Sequence, residues 1–162
     1  MARKDAFIGQ QFFWFSGEVQ EKGDHNRVKV YCHGYHPCKM NGDYDCEVED
    51  LPWATVMMPT TVAGTEDSSA NHHLEVGSWV IGFFRDGSSA QDPVVMGSIT
   101  GEDFAGGTAK KKVYKSQGGH KIEMDNEPGD IKVSHKSGSS ITMHEDGTIT
   151  LASAIGQKTR IV

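Results

Sequence analysis

The feature that most constrains this 162-residue chain is a short repeat in its last third. The apolar pairs Ile122/Met124, Ile131/Val133, Ile141/Met143 and Ile149/Leu151 recur at spacings of nine, ten and eight residues, and Gly129, Gly138 and Gly147 fall nine apart among them. Within each pair the apolar residues are two apart, the period of a strand with one apolar face. Each unit therefore reads as a strand of four or five residues closed by a glycine turn. Four such strands, roughly forty residues, sit at the lower size limit for independent folding. They have one apolar face and no second layer to cover it. Stacking against copies of the same chain would enclose that face, so the repeat predicts an oligomer.

Upstream, turn residues again divide the chain into short apolar segments. Gly supplies 19 of 162 residues, and each interior Gly weakens a helix by about 1 kcal/mol relative to Ala, which favours an all-β fold. Residues 13–19 and 27–31 are strand-like, with Gly23-Asp24-His25-Asn26 as the turn between them. Residues 53–58, 79–84 and 93–97 supply three further strands, and the long stretches 35–50 and 60–73 read as surface loops. Five strands of this length suit a small closed barrel. Residues 106–118 hold Gly106-Gly107 and Lys110-Lys111-Lys112 without an apolar period and read as a linker. The expected organisation is a barrel over 1–105, a linker over 106–118 and an oligomerising tail over 119–162.

A formal net charge of -6 disfavours a chain that lives on phosphate contacts. No run approaches the roughly 18 apolar residues of a membrane span, and no signal peptide is expected. Three Cys, an odd number, fit free thiols and assembly in a reducing cytoplasm better than a disulfide scaffold.

Several polar clusters are candidate sites. Cys32, His33, His36, Cys38 and Cys46 crowd into fifteen residues, but their spacing matches no zinc finger. Cys32 and His33 are neighbours on a strand and should face opposite ways. No metal is expected; Cys32, His36 and Cys38 are the residues of this cluster that could hold one. His135 is a further candidate, because it continues the parity of Ile131 and Val133. On an unbroken strand it would face inward, and three copies would converge around an axis; if the strand turns first, it lies in water. His72-His73, near Glu75, reads as a solvated pair. Ser, His and Asp are present, yet no nucleophile-elbow spacing joins them, so no catalytic residue and no cofactor are expected. Phe12, Phe13, Trp14 and Phe15 cannot all point into a core from one strand, and the outward members are candidates for contact with another protein.

The segments WFSGEV (14–19), RVKVYCHGYHP (27–37), DLPWATVMMP (50–59), VGSWVIGFFRD (76–86) and PVVMG (93–97), in that order, resemble the central spike proteins of contractile phage-tail baseplates. These are related to the spikes of T-even phages and of type VI secretion. The tail segments GHKIEMD (119–125) and HKSGSSI (135–141) resemble the start of that family's trimeric β-helix. The resemblance implies a five-stranded OB-type barrel, with Trp14, Gly17, Trp53, Gly77, Trp79 and Gly97 as its signature, followed by a short intertwined trimeric β-helix or prism. It implies a homotrimer with Ile122, Met124, Ile131, Val133, Ile141, Met143, Ile149 and Leu151 inside, and a virion location in the tail baseplate. Its partners would be a hub protein above the barrel, a separate tip protein at the C-terminal end and, transiently, the host envelope. No specific nucleic acid is implied. The chain departs from the T-even spike in having no lysozyme domain between barrel and helix, so no enzymatic activity is expected. The alternative is an OB-type binding module for single-stranded nucleic acid or oligosaccharide, which would need exposed aromatics framed by Lys and Arg. A zinc enzyme built on the His/Cys cluster is a further rival.

Overall fold

The computed structural model describes residues 13–37, 45–65, 70–100, 108–156 and 158–161. The chain divides into two compact units, Met1–Glu102 and Asp103–Val162. In the first, β1 (Phe13–Gly23), β2 (Arg27–Cys32), β3 (Trp53–Val56), β4 (Trp79–Phe84) and β5 (Pro93–Ile99) close into a barrel in the order β1-β2-β3-β5-β4. All neighbouring strands are antiparallel except β3 and β5, which pair in parallel and complete the ring. The 11-residue β1 is long because it serves two neighbours, pairing β4 along its first half and β2 along its second.

Alternation on β1 sends Phe15, Gly17 and Val19 inward, where they meet Val28, Val30 and Cys32 of β2, Ala54 of β3, Val80 and Phe84 of β4, and Val95 of β5. An extra residue on β1, Gln20 between Val19 and Glu21, and another on β5, Met96 opposite the Ile81–Gly82 step of β4, bend those strands into the curvature that closure requires. At the β1–β2 turn, His25 and Asn26 both adopt positive φ, at 57° and 61°. Asn26 Oδ1 accepts the His72 N–H at 2.9 Å, which anchors the following loop to the hairpin.

The second unit is a six-stranded meander: β6 (Lys111–Lys115), β7 (Lys121–Asp125), β8 (Ile131–Ser134), β9 (Ser140–Met143), β10 (Ile149–Ala152) and β11 (Lys158–Ile161), each paired with the next. Two of these strands lie outside the four read from the repeat. β6 falls within the stretch expected to be a linker, because KKVYK offers Val113 as its sole aliphatic residue and its lysines hide the alternation. β11 likewise contributes only Ile161 as an aliphatic residue.

One five-residue turn recurs along the meander at 116–120, 135–139 and 144–148. Its first N–H donates to the last carbonyl, and the fourth residue, a glycine, donates to the first carbonyl. Those glycines, Gly119, Gly138 and Gly147, have φ of 89°, 97° and 79°, as only a residue without Cβ does at low cost.

Candidate assembly surfaces

The strand registers place the apolar residues of the second unit in two continuous rows. One runs Met124–Ile131–Met143–Ile149–Ile161, and the other Tyr114–Ile122–Val133–Ile141–Leu151. Both rows lie on one face. Ile122, Ile131, Val133, Ile141, Met143 and Leu151 are each 40–47 % exposed within a single chain. An apolar face of this continuity on a lone sheet marks an interaction surface.

The opposite face is largely polar, and several of its charges are paired within the sheet. Lys111 lies 3.4 Å from Glu123 and 3.5 Å from Asp125, and these hydrogen bonds and charges raise its pKa. Lys110 pairs with Glu127 at 2.6 Å, so two members of the lysine cluster are held by acids of their own sheet. His144 joins Asp130 Oδ2 through Nδ1 at 3.1 Å and Thr150 Oγ1 through Nε2 at 2.9 Å, tying two turns to the buried Thr150.

On the barrel, all three tryptophans lie outside the core. Trp14 meets Phe83 edge-on at 6.1 Å, Trp79 stacks on His33 at 5.0 Å, and Trp53 covers Gly23 and the Lys29 ammonium. Trp14 and Trp79 are about half exposed and lie on adjacent strands, with exposed Ile81 and Ile99 beside Trp79. Lys29, which lies over the Trp53 ring, also pairs with Glu21, and elsewhere on the barrel Lys22 pairs with Glu75 and Arg85 with Asp92. That arrangement suits a protein partner better than a phosphate backbone.

The glycines of the expected barrel signature play different parts. A Cβ on Gly17 would stand 2.7 Å from Val30 Cγ1 and closer still to the Tyr31 carbonyl oxygen. Gly77 is required for its φ of 87°, whereas Gly97 has open space and no positive φ. Gly82, outside that signature, is the tightest position on β4: its Cβ would collide with the Val94 carbonyl and stand 2.6 Å from the Phe15 ring.

The candidate metal residues do not meet. Cys32 is buried in the barrel core, and burial pushes its thiol pKa to about 12, which makes it inert. His36 lies in the turn after β2, where its Nδ1 accepts the Cys32 N–H at 2.8 Å. Cys38 is outside the described residues. Among the described residues, no three His, Cys, Asp or Glu side chains are grouped as a metal site. His135 opens the β8–β9 turn and is exposed. His73 is exposed on the loop before β4, next to the partly buried His72, whose Nδ1 accepts the Leu74 N–H.

Burial lowers the pKa of both His36 and His72 below the usual 6.5. Each is therefore neutral in the fold at a pH where the unfolded chain already binds a proton. Stability should be full above pH 6.5 and fall as pH drops through 6.5 towards the lowered values. Urea midpoints measured from pH 7.5 to 5.5 should decline for the native chain and decline less for His36→Gln. Equal slopes would place the acid sensitivity elsewhere.

Comparison with known proteins identifies the family. The profile of the Gp5 N-terminal OB domain matches residues 34–146, more than half of the chain, and the chain belongs to that family. Protein Gp5 of Vibrio phage KVP40 is 33% identical over 110 residues, covering 63% of this chain and 26% of that protein. The chain thus spans about a quarter of the length of the curated relative it matches. The resemblance read from the tryptophan and glycine segments is upheld at the level of the family, and the closed five-stranded barrel is the fold that family name describes. The matched span extends past the barrel to residue 146, within the turn that follows β9.

Proposed function

We propose that this chain acts as the central spike of a contractile phage-tail baseplate. In this reading three copies assemble through the second unit, the barrels dock beneath a hub protein, and the shaft helps to breach the host envelope. The observation that carries it is the pair of apolar rows on a sheet whose other face is largely polar. Three such sheets, turned apolar face inward, form a triangular prism in which each covers the other two. Ile122, Met124, Ile131, Val133, Ile141, Met143, Ile149 and Leu151 then line the interior.

The work of such a part is mechanical. Closing three sheets on one another shields their apolar faces and makes bending expensive, so an axial force is transmitted to the tip. Catalytic groups are not needed for that role, and a separate tip protein could sharpen the end. Placement in the virion follows from the same reading, with assembly in the host cytoplasm before packaging.

Absolute mass from light scattering tests the assembly. The full chain should give near 53 kDa, three times 17.7 kDa, and a chain truncated after Thr108 should be monomeric. A monomeric full-length chain would remove the spike mechanism and favour an OB-type binding module.

A further inference from the structure

The turns at 116–120 and 135–139 emerge at the same end of the meander and bring two histidines together. Continuing the β7–β8 register beyond Lys121 and Ser134 sets His120 opposite His135. Their ring centroids are 4.5 Å apart, with planes inclined at 51°. Both side chains are exposed. We propose that His120 and His135 form a two-imidazole chelate for a borderline divalent transition metal, of the nickel or copper class.

The spacing has a quantitative basis. A ligating imidazole nitrogen sits about 2.0–2.1 Å from its metal, which puts the ring centroid roughly 3.2 Å away. Two rings meeting one ion at a right angle then have centroids about 4.5 Å apart, whereas a tetrahedral angle requires about 5.2 Å. The observed separation matches the cis positions of square-planar or octahedral ions, the geometry of copper(II) and nickel(II) with nitrogen and oxygen ligands. Water fills the remaining positions.

The surroundings hold one ring in place. His135 Nδ1 lies 2.8 Å from Ser137 Oγ and 3.1 Å from the Ser137 backbone nitrogen. In the metal-free ring Nδ1 accepts from that N–H. Ligation through Nε2 requires the ring proton on Nδ1, so the Ser137 N–H gives up its acceptor while the Ser137 hydroxyl takes the Nδ1–H, the outer contact that bound histidines usually make. The His120 ring has no hydrogen-bond partner among the described residues. The site lies within one chain and does not depend on three chains assembling.

Calorimetric titration of the full chain with nickel(II) chloride at neutral pH tests it. The native chain should bind, and His120→Gln and His135→Gln should each weaken the affinity at least tenfold, while His73→Gln leaves it unchanged. Electron paramagnetic resonance of the native chain with copper(II) should show coupling to two imidazole nitrogens, a readout that needs no variant to fold. Unchanged nickel affinity in the doubly substituted chain, coupling to a single nitrogen, or no binding at all would overturn the proposal.

Discussion

Ile141→Asp should abolish the proposed trimer and leave the chain monomeric at concentrations where the unaltered chain assembles. Ile141 lies within an apolar row, between Val133 and Leu151, and is 47 % exposed in the single chain. Burying an isoleucine contributes about 1.5–3 kcal/mol, and burying an unpaired carboxylate costs several kcal/mol more. Around the proposed three-fold axis both effects would act three times, with the like charges facing one another. Ile131→Asp should behave in the same way. Thr142→Asp, one residue along but on the polar face, should leave the proposed assembly intact. Sedimentation velocity reads all three; an Ile141→Asp chain that sediments as the parent would sink the interior assignment.

Gly82→Ala should unfold the barrel or reduce its stability by about 3 kcal/mol or more. The added methyl meets the Val94 carbonyl and the Phe15 ring at a point where β4 is held by β1 on one side and β5 on the other. The carbonyl is backbone and cannot rotate away, so relief requires separating β4 from β5. Gly97→Ala is the matched control, because nothing lies within 4 Å of its added methyl. It should change stability by less than about 0.5 kcal/mol. Urea denaturation followed by tryptophan fluorescence distinguishes the two, and a Gly82→Ala protein that melts like its parent would show that the close approach at β4 and β5 is relieved at little cost.

The sequence made the barrel legible because its strands carry alternation and its turns carry Gly, Asp and Asn. Residues 79–84 and 93–97 could be located from composition alone. The apolar rows were legible for the same reason, since pairs two residues apart on successive strands must share a face once the turns have constant length. β6 and β11 were not, because KKVYK and KTRI each hold one aliphatic residue and a periodicity cannot be read from one position. The tightness at Gly82 was hidden too: it depends on Phe15, which lies 67 residues away in the chain and reaches β4 only after the barrel closes. The pairing of His120 with His135 depended on register across a turn, which a list of histidines does not contain.

The recurring five-residue turn makes the second unit a molecule with a countable length. Each strand and turn together add about 4.8 Å in the direction in which the strands pair. Because the strands alternate in direction, one inserted repeat would deliver the chain to the opposite margin of the sheet, and two would return it to the margin it left. Lengthening by pairs, roughly 9.6 Å at a time, therefore preserves where the chain emerges, while lengthening by single repeats does not. Parity, as much as hydrophobicity, limits how such a sheet can grow.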